Sequence, residues 1–257
     1  MATLRQSLVV LAGGEGRRLG PLPAPKPLVR VGGVPVLERV VAAGADLDEV
    51  VVAVRDRPAF TVELHEIGWV LLGPENHVWD RLTTPQGIEV VLVEDIGPAS
   101  TPELHAAAGP LVGLAAALAA ARGDICVAFG GDMPFVTQEL VTALAAALTA
   151  KPTTDAVAVE SGGRIHPLCA AYRRSAALAA ARRLLGDRPN DTGRSPSLRA
   201  LLAELPVARF TQSRIGRCVG GLGGDGGRPL SAALRGIDTP ADLRWARAQA
   251  SETPRTG

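Results

Sequence analysis

Short, unbroken apolar runs alternate along this chain with longer, alanine-rich stretches whose apolar residues recur at helical spacing. The short runs predict buried strands over residues 7–11, 49–54, 89–93, 125–129 and 156–159. The longer stretches predict helices over residues 34–43, 111–121, 138–150, 175–185, 197–204 and 241–250. Strand and helix in series predict an α/β fold with a mainly parallel sheet and helices on both faces. Ligands of such sheets bind outside the carboxyl ends of the strands.

Some segments stand outside this alternation. Residues 57–87 carry Trp69, Trp79 and several turn signals, and read as an insertion. Residues 97–109 read as a small-residue loop long enough to move over a site. Residues 214–229 are Gly-rich and read as mobile, and 251–257 as a disordered tail. The expectation is a single domain over residues 1–250 without internal repeats.

The bulk numbers narrow the possibilities. At 257 residues and 47% apolar content the chain can bury a sizeable core, but 3% aromatics means that Ala, Val and Leu must build it. A formal net charge of +1 gives no electrostatic basis for a nucleic-acid or membrane partner. Cys126, Cys169 and Cys218 lie far apart without metal-type spacing, which suits a reducing compartment. The amino-terminal sequence lacks the pattern of a signal peptide, and the apolar stretch 111–121 is too short to span a bilayer. The expectation is a cytoplasmic protein.

The candidate chemistry begins where the first predicted strand ends. Glycines at 13, 14, 16 and 20 let the backbone turn sharply and approach a ligand closely. With Arg17, Arg18 and Lys26, their N–H groups form a dense donor set for phosphate, and a nucleoside triphosphate is the natural guest. The spacing is neither that of a Walker loop nor that of the dinucleotide fingerprint. Asp132 follows the 125–129 strand, so its carboxylate faces the same rim; it suits Mg²⁺ shared with substrate phosphates, or a plain turn. Asp238 suits a second metal carboxylate, or else Asp238 or Thr239 caps the last helix. Asp95 suits a ribose, a base, the metal or a loop cap, and Gly109 and Pro110 open a helix. His166 suits an acidic second substrate or a structural place; Arg173, Arg174 and the 190–194 turn suit a second anion site or solvent.

In this order the pieces resemble the nucleotidyltransferases that act on sugar phosphates and on the molybdenum cofactor. The loop from Leu11 through Lys26 is shared across that superfamily. Gly109-Pro110-Leu111 with Gly113-Leu114, Gly131-Asp132-Met133-Pro134-Phe135, His166-Pro167-Leu168 and Ile237-Asp238-Thr239-Pro240 together resemble molybdenum cofactor guanylyltransferases of the MobA type. The match touches residues 9–243.

The resemblance implies a Rossmann-like three-layer sandwich, similar to the nucleotide-diphospho-sugar transferases. It implies a Mg²⁺-dependent reaction in which GTP and molybdopterin cofactor give the guanine dinucleotide cofactor and pyrophosphate. Leu11, Ala12, Gly13, Gly14, Gly16 and Asp95 would bind the nucleotide. Arg18 and Lys26 would hold its phosphates and, with Asp132, carry catalysis; Asp132 would ligate Mg²⁺, with Asp238 as a second ligand. Arg164, His166 and Pro167 would face the pterin, and transient contact with molybdoenzymes is implied as well.

Several positions depart from the family pattern. The spacer from Arg18 to Lys26 is longer and resembles that of sugar-1-phosphate enzymes, Ala53 and Asp238 stand where Asn is common, and 57–87 has no counterpart. Ala12-Gly13-Gly14 and Met133-Pro134-Phe135 favour guanine over cytosine. A sugar-1-phosphate or cobinamide-phosphate acceptor, CTP as donor, and a non-catalytic nucleotide-binding protein stay open as alternatives.

Overall fold

The computed structural model describes residues 4–14, 16–22, 24–74, 79–95, 109–186, 196–211, 213–215 and 229–251. The 190–194 turn, Cys218 and, within the three segments set apart by sequence, residues 97–108, 216–228 and 252–257 lie outside the described residues.

Each predicted strand and helix is present. The strands are β1 (Gln6–Leu11), β4 (Glu49–Val54), β7 (Glu89–Glu94), β8 (Ile125–Gly130) and β9 (Ala156–Ser161). The helices are α1 (Val36–Ala42), α3 (Pro110–Ala120), α4 (Gln138–Thr149), α5 (Arg174–Gly186), α6 (Leu198–Ala203) and α8 (Pro240–Ser251). Between them lie the small ribbon β2 (Arg30–Val31) and β3 (Val34–Pro35), the strands β10 (Arg164–Arg173) and β11 (Val207–Thr211), and the one-turn helix α7 (Leu230–Ala233). Segment 57–87 folds as helix α2 (Arg57–Glu66) and strands β5 (Val70–Pro74) and β6 (Trp79–Thr83).

These strands form a nine-stranded sheet in the order β11-β9-β10-β8-β1-β4-β7-β6-β5. It is mainly parallel, with β10 and β6 running against the rest. Leu8 and Val10 of β1 belong to one core and Val9 to the other, so alternate residues of a single strand serve both faces. The first face packs against α1, α2, α4 and α8, the second against α3, α5 and α6. This is a three-layer Rossmann-like α/β sandwich. On the second face the sheet presents Ala53, Cys126, Ala128, Ala158 and Ala170, small residues that let the alanine-rich α3 and α5 sit close. Dense packing of small side chains thereby replaces the aromatic bulk that the chain lacks.

Helix α2 and strands β5 and β6 are tied to the body by buried polar contacts. Glu38 of α1 accepts from Trp69 Nε1 at 3.2 Å and Gln86 Nε2 at 3.3 Å, while within the segment Arg57 of α2 pairs with Asp80 of β6 at 2.5 Å. Residues 164–168 are the first part of β10. Its pairing with β9 slips between His166 and Ala170, where Pro167 has no N–H to give the ladder. The Tyr172 hydroxyl donates to the Pro167 carbonyl at 2.7 Å and holds this irregular stretch in place.

The chain builds β1, β4 and β7 outward in one direction and then crosses β1 to add β8 on its other side. The carboxyl end of β1 is therefore the point where the winding reverses, the position such sheets offer to ligands.

Candidate active site

Backbone hydrogen bonds lock the strand ends together at this rim. Ala12 N donates to Ala53 O at 2.7 Å, Gly131 N to Leu11 O at 2.8 Å, and Asp95 N to Val54 O at 2.7 Å. The carboxyl ends of β1, β4, β7 and β8 thus stand at a common level. Residues at and after these ends line a cavity of about 540 Å³.

Glycine is required at two places in the first loop. A Cβ on Gly13 would stand 2.7 Å from Asp95 Oδ2. Gly16 has φ 63°, in the left-handed region, and turns the chain into a single helical turn at Arg17–Leu19. Gly14 faces open space, which leaves its backbone accessible from the cavity. The proline-spaced stretch then brings Lys26 back at the start of a second short turn, Lys26–Leu28, anchored by buried Leu28.

Lys26 is the hub of the rim. Its ammonium lies 2.5 Å from Asp132 Oδ2 and 2.7 Å from Asp238 Oδ1, and its side chain is only 9% exposed. Burial alone would lower its pKa, but the charges and hydrogen bonds of Asp132 and Asp238 prevail and raise it above the ordinary lysine value. The ammonium stays charged.

Asp132 is seated by glycines on both sides. A Cβ on Gly130 would come within 2.6 Å of its Oδ1, and one on Gly236 within 3.1–3.2 Å of its carboxylate. Ile237 N donates to the Asp132 carbonyl at 2.9 Å, which fixes Asp238 beside Asp132 although 106 residues separate Lys26 from Asp132 and 212 separate it from Asp238. The helix-cap alternative for Asp238 is resolved by its neighbours. Asp242 N donates to Thr239 Oγ1 at 3.2 Å, and Thr239 N to Asp242 Oδ2 at 2.9 Å, a reciprocal cap for α8. The Asp238 carboxylate is thereby left to Lys26.

Asp95, after β7, is 8% exposed, and its Oδ1 has no hydrogen-bond partner among the described residues. Burial pushes its pKa up to about 6; Arg55 pulls it down and Glu94 adds to the rise.

Nine of the residues to which the resemblance gives a nucleotide, phosphate or metal role line this cavity: Leu11, Gly13, Gly14, Gly16, Arg18, Lys26, Asp95, Asp132 and Asp238. Ala12 is buried beneath the loop. Arg164, His166 and Pro167 are not among the lining residues, whereas Leu168 is. They sit on the part of β10 that runs past Phe129, the last β8 residue paired with it, and so project beyond the same sheet edge. His166 is half-buried; burial lowers its pKa, a backbone hydrogen bond with Ser161 opposes this, and Arg164 and Arg199 lower it further. Its imidazole is neutral at pH 7. Sequence reading missed Arg55 and Gly236. Arg55 follows an apolar strand as any exposed arginine would, and Gly236 matters only through a carboxylate distant in sequence.

The two rim carboxylates converge on a single point, now filled by the ammonium. No group of three or more His, Cys, Asp or Glu side chains capable of holding a metal occurs among the described residues. The donor set fits Mg²⁺ that arrives with substrate phosphates, since that ion keeps few protein ligands.

A basic glycine-rich loop and strand-end carboxylates at the reversal point of a Rossmann-like sheet define a nucleotidyltransferase acting on a nucleoside triphosphate. The chain belongs to the MobA-like NTP transferase domain family, whose pattern matches residues 8–207. A Bacillus licheniformis protein named "Probable molybdenum cofactor guanylyltransferase" is 30% identical over 171 residues, 66% of this chain and 70% of its own. Molybdopterin-guanine dinucleotide biosynthesis protein A from Archaeoglobus fulgidus superposes with a TM-score of 0.65 at 22% identity, covering 96% of this chain and 100% of its own. The 2-C-methyl-D-erythritol 4-phosphate cytidylyltransferase of Thermus thermophilus gives 0.56 at 21%, with 96% and 100% covered. At those identities the two structures share the fold. Among the described residues, no helix is long and apolar enough to cross a membrane.

Proposed function

We propose that this chain transfers GMP from GTP to the terminal phosphate of molybdopterin cofactor, forming the guanine dinucleotide cofactor and releasing pyrophosphate. The observation that carries the reading is the convergence of Lys26, Asp132 and Asp238 beside the Gly-rich loop. The names of the Bacillus and Archaeoglobus relatives support guanine and pterin as substrates.

The chemistry needs no protein nucleophile. A phosphate oxygen of the acceptor attacks the α-phosphorus of GTP, the bond to the β-bridging oxygen breaks, and pyrophosphate leaves with that electron pair. The protein contributes position and charge. Backbone N–H groups around Gly13 and Gly14 cradle the nucleotide, and Arg18 and Lys26 hold the triphosphate. Lys26 exchanges a carboxylate for a phosphate oxygen as the nucleotide enters, and then stabilises the charge that builds on pyrophosphate. Asp132 and Asp238 would hold Mg²⁺, which would neutralise charge on the reacting phosphate oxygens. The acceptor would approach over the projecting end of β10, where Arg164, His166 and Pro167 meet the pterin and Leu168 forms the wall.

The test is pyrophosphate release in the presence of Mg²⁺, with GTP, CTP, ATP and dTTP each offered molybdopterin cofactor and several sugar 1-phosphates. Release is expected only from GTP with the pterin. Release with a sugar phosphate overturns the acceptor, and release from no pair overturns the enzymatic reading.

A further inference from the structure

The cavity has two chemically different ends. At one, Arg18, Lys26, Asp132 and Asp238 offer the charges that a triphosphate and its cation need. The Gly-rich loop leads from there to the other end, walled by Ala53, Arg55, Asp95, Pro110 and Gly113. Gly13 marks the join: a Cβ there would stand 2.7 Å from Asp95 Oδ2 and 3.4 Å from Arg55 N. A Cβ on Gly113 would lie 3.6 Å from the Asp95 Cβ, so the carboxylate is packed on both sides.

This second end is poorly made for phosphate. Its carboxylate is an acceptor, more than nine-tenths buried, and Oδ1 has no partner among the described residues. Such an atom calls for a neutral donor from the ligand. Arg55 on the same wall is half-buried and close enough for its charge to act on Asp95. A carboxylate and a guanidinium on one wall can read a ligand edge that carries both donors and acceptors. Guanine fits both: N1–H and the 2-amino group are adjacent donors, and O6 and N7 are adjacent acceptors that an arginine fork meets together. Cytosine and adenine place an amino group where guanine has O6, and would turn a donor towards Arg55.

We infer that Arg55 is the base-reading residue of this site, donating to O6 and N7 of guanine while Asp95 accepts from N1–H and the 2-amino group. The inference rests on the proposed use of GTP. It also accounts for an arginine directly after β4, at the end of the cavity away from Arg18 and Lys26.

The experiment is calorimetric binding of GTP, 7-deaza-GTP and CTP to the wild-type chain and to Arg55→Met. Wild type is expected to bind 7-deaza-GTP, which lacks the N7 acceptor, about tenfold more weakly than GTP. Arg55→Met is expected to lose about tenfold in GTP affinity and to bind the two purines equally. The ratio is taken within each protein, so partial misfolding of the variant does not move it. An undiminished 7-deaza penalty in Arg55→Met overturns the inference, as does an equal loss for GTP, 7-deaza-GTP and CTP, the mark of a phosphate or ribose contact. Wild type that prefers CTP overturns the proposed function itself.

Discussion

Lys26 does in this structure what no other described cation does: it bridges the two rim carboxylates. Its cost is prepaid in folding, because proline-spaced backbone and buried Leu28 set its position before any ligand arrives. Preorganised charge of this kind is worth about 2–4 kcal/mol of transition-state stabilisation. Lys26→Ala is therefore expected to lower the rate of pyrophosphate release by about 30- to 1,000-fold, with circular dichroism confirming the fold. A loss below about tenfold would assign the lysine a purely structural role. At this scale the sequence was readable where chemistry and local pattern coincide: Lys26 among glycines, Asp132 at a strand end. It was not readable at Gly236 or Arg55, whose meaning comes from the carboxylates they face, Asp132 and Asp95, in segments far apart along the chain.

Helix α8 shows how an element without a catalytic group positions one. Its cap is the reciprocal pair Thr239 and Asp242, and Arg235 grips the free oxygen of Asp242 at 2.7 Å while stacking over Trp245. Trp245 in turn meets Phe135 edge-on, with centroids 5.4 Å apart, so the start of α8 is keyed to the loop that carries Asp132. Removing a threonine cap costs about 1 kcal/mol. Thr239→Ala is expected to lower the free energy of unfolding by about that amount, read as a lower urea midpoint at unchanged slope, and to slow pyrophosphate release because Asp238 loses its fixed approach to Lys26. A variant as stable as wild type would mean that Asp242 caps the helix alone. The elements legible from sequence were those with long apolar or alanine-rich patterns. Strands β10 and β11 escaped notice because one begins with Arg164, His166 and Pro167 and the other is a short edge strand. Strands β5 and β6 escaped because their pairing is with the sheet edge and is invisible to local periodicity.

At the scale of the whole molecule, the site places a strained charge in the fold. Asp95 titrates at about 6, above the ordinary aspartate value of 3.8, because burial disfavours its charged form more than Arg55 restores it. Between those two values the folded chain holds a proton that the unfolded chain has released. Stability from this group is therefore complete below about pH 4 and is lost as pH rises through about 6. Asp95→Asn removes the titration. Its melting temperature is expected to match that of wild type at pH 4 and to exceed it at pH 7.5, with the gap opening between those values. Thermal unfolding of both proteins across that range, compared as a difference, cancels the other titrating groups. Asp95→Asn less stable than wild type at pH 7.5 would mean that Arg55 holds the ionised carboxylate more strongly than burial resists it. If the gap opens as expected, the fold carries an unfavourable carboxylate at neutral pH. That is the signature of a group retained for what it binds.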